Sequence, residues 1–435
     1  MSQHNNVKLP LSRRNVLQFL AIGSVGAGLA ACAGPGSTAP SSNQTIDATN
    51  KTGEVSFAHW RGEDREVFQK LISDFVSKNP DITVDQDISQ SPDYQAQALQ
   101  RLRGGSVGDA CAAFRGTQFE NFVSSGLFTD LSDTDVVDRY ESNVIGSGSK
   151  DGKQYGFPYQ VVFPMPLGNI DLIEAAGVSE VPKDWDSYLD MMDKIKASGV
   201  IPMAFPGGHA GDSGQLFNNM IMNVAPSDDM CAKIESGDYK CTDDWFIEML
   251  SCYEQLRPFV QPNSGGTASE PAQQLFASKE AAMLCSGSYH LAAVRALGAD
   301  FAMDLIPPIT SGPGEAKYEG TYNSTFILGV NSASENPGAA LAWIDYLSDP
   351  VNATTYANGT AQFSSVKGVE YSNEDLKRIQ PWLTKKTLLA PRFQFIDLDM
   401  RNAVEASGVS VINGASPQQA AEAAQKIVDE RQKTA

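Results

Sequence analysis

Two stretches carry a serine in a setting that elsewhere supports nucleophilic catalysis. Gly104-Gly105-Ser106-Val107-Gly108 has the G-x-S-x-G spacing, which needs a strand before the serine and a helix after it so that the hydroxyl stands on a sharp turn. Here the apolar pattern places a helix before and a strand after, so the motif runs backwards. Gly211-Asp212-Ser213-Gly214 has the letters of a trypsin-like nucleophile, but that serine needs a histidine base and a β-barrel around it, and neither is visible. Paired carboxylates hydrolyse glycosides, yet 52 Asp and Glu residues make chance pairs unavoidable and sequence carries no separation between them. No H-E-x-x-H, phosphate loop or dinucleotide fingerprint occurs beyond residue 31. The four His and six Cys show no zinc spacing. No catalytic group, cofactor or metal is therefore expected.

The elements that would position other side chains are easier to read. Val55, Phe57 and His59 alternate in a strand that ends at Trp60. Val67, Phe68, Leu71, Ile72, Phe75 and Val76 then share one helix face, stopped by Asn79-Pro80. Ile82, Val84 and Ile88 predict a second strand, and Ala96 to Leu102 a helix ending at Gly104-Gly105. Asp109 to Phe114 reads as a buried strand, and Phe119, Phe122 and Val123 as a short helix closed by Gly126. This β-α-β-α-β-α order predicts a parallel, doubly wound α/β sheet. Ligands of such sheets sit at the carboxyl ends of the strands, where Trp60 and Phe114-Arg115-Gly116 fall.

Composition narrows the classes. The 435 residues are 42% hydrophobic and include 20 Phe, 13 Tyr and 5 Trp, too many for a disordered chain. A net charge of −19 disfavours nucleic acid as a partner, since phosphates need a basic face. Lys8, Arg13 and Arg14 precede an apolar run from Val16 to Ala31, which ends Leu29-Ala30-Ala31-Cys32. Residues 1–31 read as a secretory signal peptide, too short and glycine-rich to span a membrane well. Ser12-Arg13-Arg14-Asn15-Val16-Leu17 resembles the twin-arginine export motif, with Val16 and Gln18 replacing the usual Phe and Lys, so Sec export stays open. Leu-Ala-Ala-Cys is similar to a bacterial lipobox, which would make Cys32 the acylated, palmitate-bearing first residue of a lipoprotein on the cell membrane. Cleavage removes three basic residues and no acidic one, taking the net charge from −19 to −22. Residues 32–53 form a polar, flexible tether. The five remaining cysteines leave at least one free thiol. Cys231 and Cys241 flank Gly237-Asp238 and are the preferred disulfide, with Cys241–Cys252 as rival; Cys111 and Cys285 sit in apolar runs and read as core.

Further motifs then accumulate. Gly152-Lys153-Gln154-Tyr155-Gly156-Phe157-Pro158-Tyr159 is followed by Asn169 to Gly177, Pro182 and Trp185. Phe276 to Met283 precedes Ser286-Gly287-Ser288-Tyr289; Asn336-Pro337 opens a helix over Ala339–Leu347, followed by Ser348-Asp349-Pro350. Ser416-Pro417 caps a terminal helix. In this order the chain from 54 to 435 resembles the family-1 extracytoplasmic solute-binding proteins of ABC importers, the group around the maltodextrin-binding proteins. Gly168 stands where that family usually has Tyr, and Tyr289 where Trp is common. The resemblance implies a periplasmic-binding-protein-like II fold: two doubly wound α/β lobes joined by a hinge with a ligand cleft between them. By analogy the N-terminal lobe is 54–161 plus 300–347 and the C-terminal lobe 162–292 plus 350–435, crossing near Tyr159, Ala293–Asp300 and Ser348–Pro350.

Sugars present apolar C–H faces and rings of hydroxyls, so their sites combine aromatic platforms with amides, carboxylates and Arg. Position beside predicted strand ends and loops selects Trp60, Glu63, Arg115, Gln118, Tyr159, Gln160, His209, Asp212, Tyr289, His290, Tyr322, Asn323, Gln362 and Trp382 as ligand candidates. Trp185, Trp245 and Trp343 lie in helical runs and read as core. The implied function is a monomeric, membrane-tethered protein that captures a carbohydrate, preferably an oligosaccharide, by lobe closure and delivers it to an ABC permease. Alternatives are a secreted glycoside hydrolase, a surface adhesin, or a binder of another solute: a polyamine, a glycerol phosphodiester, or iron held by Tyr318 and Tyr322. No basic cluster is evident in the sequence, which weighs against a phosphoester.

Overall fold

The computed structural model describes Ile46 and residues 51–434. The signal peptide, Cys32 and most of the tether lie outside the described residues. Among those residues no helix is long and apolar enough to cross a membrane.

The first strand, Gly53–His59, is followed by the helix Arg65–Lys78, which buries Phe68, Leu71, Ile72 and Phe75. Asn79 ends that helix, its backbone N–H reaching the carbonyls of Phe75 and Val76 while its amide donates to Phe75 O at 2.9 Å. Ile82–Ile88 then pairs parallel with the first strand, and Ala110–Ala113 pairs parallel on its other side. The expected β-α-β-α-β-α unit is therefore present.

The larger sheet is mixed rather than wholly parallel. The eleven-residue strand Gly320–Val330 lies antiparallel between Ala110–Ala113 and Phe157–Val162, and Phe363–Ser364 adds to the edge. Alternation along the strands sorts two cores. Phe57, Ala110, Ala112, Phe326 and Leu328 face one side, against Phe68, Phe75 and Trp343. Ala58, Cys111, Ala113 and Ile327 face the other, against Tyr94, Leu102 and Phe122. Side chains that alternate into two apolar layers are the mark of a sheet covered on both faces.

The smaller sheet is ordered Met303–Leu305, Leu167–Asn169, Ala281–Leu284, Ile201–Ala204. Its main core is rich in methionine and includes Met191, Met192, Met220, Met249 and Met283. Met303–Leu305 pairs antiparallel with Leu167–Asn169, so the chain rejoins the larger sheet only at Gly320. The helix Pro350–Thr360 buries Ala353 and Tyr356 in the larger sheet's core. The long helices Leu398–Ile412 and Pro417–Gln432 close the core of the smaller sheet, the last opened by a reciprocal Ser416–Gln419 capping box.

The expected Cys231–Cys241 bridge is not formed, and all five described cysteines are free and buried. Each backbone is pinned to a different part of the C-terminal region: Cys231 N donates to Gln394 Oε1 at 3.0 Å and Cys241 N to Gln425 Oε1 at 2.7 Å. Both thiols belong to the methionine-rich core, and burial pushes that of Cys241 up to about 12 and that of Cys231 well above its ordinary value. Such thiols are inert. Without reductant, peptide mapping after alkylation should find Cys231 and Cys241 unmodified in the native protein and labelled once it is unfolded; a linked 231–241 peptide would contradict the structure. Trp343, fully buried and edge-on to Phe57 and Phe75, anchors the larger core, and Trp343→Ala should cost about 3–5 kcal/mol in denaturant melts.

Candidate ligand-binding site

Two groups of candidate residues form, one on each sheet. At the carboxyl end of the first strand, Trp60 lies over Phe114, which follows the third strand, with ring centroids 3.6 Å apart and planes 19° from parallel. Tyr94 and Phe326 support Trp60 at 5.4 and 5.0 Å. Phe326 is held at φ 54°, a left-handed conformation costing a bulky residue about 1–3 kcal/mol. Gln118 is a positioning group: its Oε1 accepts from Phe114 N and its Nε2 donates to Tyr94 O, both at 3.0 Å. Arg115 donates through Nε to Asn323 Oδ1 at 2.9 Å and through Nη2 to Ala390 O at 2.8 Å. Burial lowers its guanidinium to about 10, a shift that Tyr322 opposes. Gly116 beside it is at φ 83°, and a Cβ there would lie 2.8 Å from Phe393 O.

The second group centres on Asp212, 3% exposed in the first turn of the helix Ala210–Ile221. One carboxylate oxygen accepts from Ser269 Oγ at 2.5 Å and the other from Tyr289 Oη at 3.1 Å. His209 Nδ1 stands 3.2 Å away and His290 Nδ1 3.9 Å away, charge contacts rather than aligned hydrogen bonds. Burial, the largest influence, works to raise the Asp212 carboxyl, but His290, His209 and Ser269 together bring it down to about 2. Asp212 holds His209 above its ordinary value, whereas burial lowers His290. Ser286 Oγ lies 2.6 Å from His290 Nδ1. Asp212 approaches that same nitrogen, whereas a hydrolytic relay needs serine and carboxylate on opposite nitrogens. Ser213 is not exposed as a nucleophile, since its hydroxyl donates to His209 O at 3.1 Å within its own helix.

The groups are brought towards each other by the segments that run between the sheets. Phe163, just past the Phe157–Val162 strand, exchanges two bonds with Ser288: its N–H donates to Ser288 Oγ and its carbonyl accepts from Ser288 N, both at 3.0 Å. Tyr289 is thus tied to a crossing strand. Gln362 donates to Tyr289 O at 3.4 Å, and its buried Oε1 has no hydrogen-bond partner. Glu63, paired with Arg61 at 2.9 Å, is near enough for both charges to act on His290.

Not every candidate joins these groups. Tyr159 is fully buried in the larger core, its hydroxyl donating to Leu347 O at 3.0 Å. Gln160 is buried and donates to the Tyr356 hydroxyl. Trp382 is 5% exposed, with Nε1 3.3 Å from Asp304 Oδ1 and Lys385 over its ring. Tyr318 donates to Asp228 while Tyr322 faces Arg115, so the two phenols do not converge on one point. Phe114, already placed at a strand end, joins the first group, and Ser269 and Ser286, absent from the ligand candidates, join the second, as does Gln273, whose Nε2 donates to Ser269 Oγ at 3.0 Å. For Phe114 the signal was its place one residue beyond a strand; the others carry none.

Two α/β sheets joined by crossing segments, with rings on one and a buried carboxylate on the other, define a two-lobed periplasmic-binding-protein-like fold. The chain belongs to the bacterial extracellular solute-binding protein family, which matches residues 61–354. It is 23% identical to the α-glucosides-binding periplasmic protein of Rhizobium meliloti over 353 residues, 74% of each chain. It is 29% identical to the sn-glycerol-3-phosphate-binding periplasmic protein of Brucella abortus over 174 residues, 39% of this chain and 40% of that protein. Among solved structures it resembles a chitin oligosaccharide binding protein at a TM-score of 0.76 and 19% identity, across 88% of this chain and 100% of that one.

The Asp212 contacts set a pH dependence. A carboxyl lowered from 3.8 to about 2 stabilises the fold above pH 3.8, and that share is lost as pH falls towards 2. His209, raised from 6.5, stabilises below pH 6.5, and its share is lost as pH rises through the raised value. Asp212→Asn should remove both and cost roughly 2–3 kcal/mol at pH 6. The His209 ring titration, followed by NMR, should fall back towards about 6.5; an unmoved titration would show that Asp212 does not govern it.

Proposed function

We propose that this protein captures a carbohydrate, preferably an oligosaccharide, outside the cytoplasm and delivers it to the permease of an ABC importer without transforming it. The observation that carries this reading is the Trp60–Phe114 ring pair at the strand ends of one sheet, with the hydroxyl- and carboxylate-bearing Asp212–Ser269–Tyr289 group on the other. Rings take the C–H faces of a sugar, and charged acceptors take its hydroxyls with bonds of roughly twice neutral strength. The unpartnered Gln362 Oε1 offers one more acceptor. Family membership and the α-glucoside-binding relative support the same substrate class.

Closure of the lobes is the mechanism. A ligand favours the closed state only by the contacts it adds there, so it must touch both groups at once. Capture followed by release suits micromolar affinity, about −8 kcal/mol. Cys32 would anchor the protein by lipid, and the polar tether would let the body reorient at the membrane.

In a thermal-shift panel of neutral and charged oligosaccharides, one class should raise the melting temperature by several degrees at saturation; flat melts throughout would refute carbohydrate capture. Trp60→Ala should weaken binding of that class by about 1–3 kcal/mol, read by calorimetry, and unchanged affinity would remove Trp60 from the site. Cys32→Ala should move the protein from the membrane to the soluble fraction; retention on the membrane would end the lipoprotein reading.

A further inference from the structure

Three guanidinium groups lie around the Pro391–Gln394 turn, and two of them, Arg392 and Arg401, share one carboxylate, Glu405. Arg115 and Arg392 both stand over the Phe393 ring, 5.4 and 5.3 Å from its centroid. Arg392 takes up Glu405 completely, Nε to Oε1 and Nη2 to Oε2, each at 2.6 Å. That pair is neutral, and two cations are left over.

Arg401 is the clearer of the two. It is 6% exposed, its Nε is 3.8 Å from Glu405 Oε1, and this buried Nε has no hydrogen-bond partner. Its other recorded contact is long and neutral, from Nη2 to Gln95 Oε1 at 3.4 Å. Arg115 is bonded only to neutral oxygens, those of Asn323 and Ala390. Burial, and for Arg401 the neighbouring Arg392, lower both guanidinium groups to about 10, so both are still charged at neutral pH. The buried acid beside Gly211, Asp212, is engaged by Ser269, Tyr289 and two histidines. A buried cation without a counter-charge costs several kcal/mol. Arg392 and Arg401 have only Glu405 between them, and Arg115, partly buried, has no acid bonded to it, so the turn carries more positive charge than the fold neutralises.

The place is where the two sheets' elements touch. Thr117 Oγ1 donates to Phe395 O at 3.1 Å, and Arg401 reaches Gln95 on the helix that carries Tyr94 beneath Trp60. Arg392 Nη1 reaches Gly211 O at 3.3 Å, next to Asp212. The arginines therefore adjoin both halves of the candidate site. They are separated by 277 or more positions between Arg115 and the other two, which is why no basic cluster is visible in the sequence.

We propose that the solute carries an anionic group, a carboxylate or phosphate on a sugar or polyol, and that Arg401 and Arg115 bind it. This rests on the reading of the cleft as a solute site and narrows its substrate class. A planar guanidinium with two free N–H directions suits either anion bidentately. The protein's overall negative charge does not oppose this at contact range, because exposed charges are screened within about 8 Å at physiological salt.

Calorimetry on the intact mature protein in 150 mM salt tests it with four probes: trigalacturonate, glucose 1-phosphate, and the neutral maltotriose and raffinose. At least one acidic probe should bind about tenfold or more tighter than the neutral ones; which one does so separates a uronate from a phosphate ester. Arg401→Gln and Arg115→Gln should each reduce the acidic-to-neutral affinity ratio about tenfold, and Arg401→Lys should retain part of it. Should Arg401→Gln fail to fold, the lysine variant and Arg115→Gln carry the test. Neutral probes binding as tightly as acidic ones, or a ratio that none of the substitutions changes, would overturn the proposal and leave sugar capture standing. No binding of any probe would overturn both.

Discussion

A carboxylate kept ionised in a dry place organises the polar half of this molecule. Asp212 has almost no contact with solvent, and burial alone would drive it to its neutral form. Two hydroxyl donors and two imidazoles keep it charged, so Ser269, Tyr289, His209 and His290 are all oriented by one negative point. Their placement follows from it: the tyrosine ring is aimed by its hydroxyl, and His290 is shared between Asp212 and Ser286. Losing that charge would remove the acceptor of both the Ser269 and the Tyr289 hydroxyl at once.

The apolar half is organised by packing. Trp60 rests on Phe114 and is edge-on to Phe326, and Phe326 lies in the same aromatic cluster as Phe57 and Phe68. A ring wedged in this way has few rotamers to lose when a ligand lies on it, which lowers the entropic cost of binding. The strained backbone of Phe326 fits the same purpose, since only a well-packed sheet centre can hold a bulky residue in a left-handed conformation. The two halves are linked through the Phe163–Ser288 exchange, which ties the Tyr289 turn to a crossing strand, and through the Gln362 amide on the Tyr289 carbonyl.

Much of this was legible in the sequence, and the legible part has a common cause. The first strand and helix, the Ala110–Ala113 strand and the Ser416 cap announce themselves within a dozen residues, through alternation, a 3.6-residue period or a capping pair. Trp60 and Asp212 were selected because they stand at such element ends. What was missed depends on distance along the chain. Nothing near Met303 says that it pairs with Asn169 rather than with the larger sheet, because short apolar strands fit either partner. Tyr159 and Trp382 looked like platforms, but each ring is consumed by a core whose other members lie far away in sequence. The Cys231–Cys241 pairing failed similarly: a turn between two cysteines suggests a loop to be closed, whereas Gln394 and Gln425, remote in the chain, hold the two backbones in separate settings.

The contrast between Asp212 and the arginines bears on selectivity. Asp212 is a charge whose partners are all supplied by the fold, so it asks little of a ligand. Arg401 has only a share of Glu405, and Arg115 is bonded to neutral oxygens alone. A site rejects most strongly the ligand that leaves its own buried polar groups unmatched, because the penalty falls on the protein as well as on the lost contact. Rings that accept any sugar face would then give breadth, and unmatched cations would give discrimination. On this view the aromatic platform determines that a sugar-like solute binds at all, and the arginines determine which one. The two properties are carried by different residues and can be changed separately.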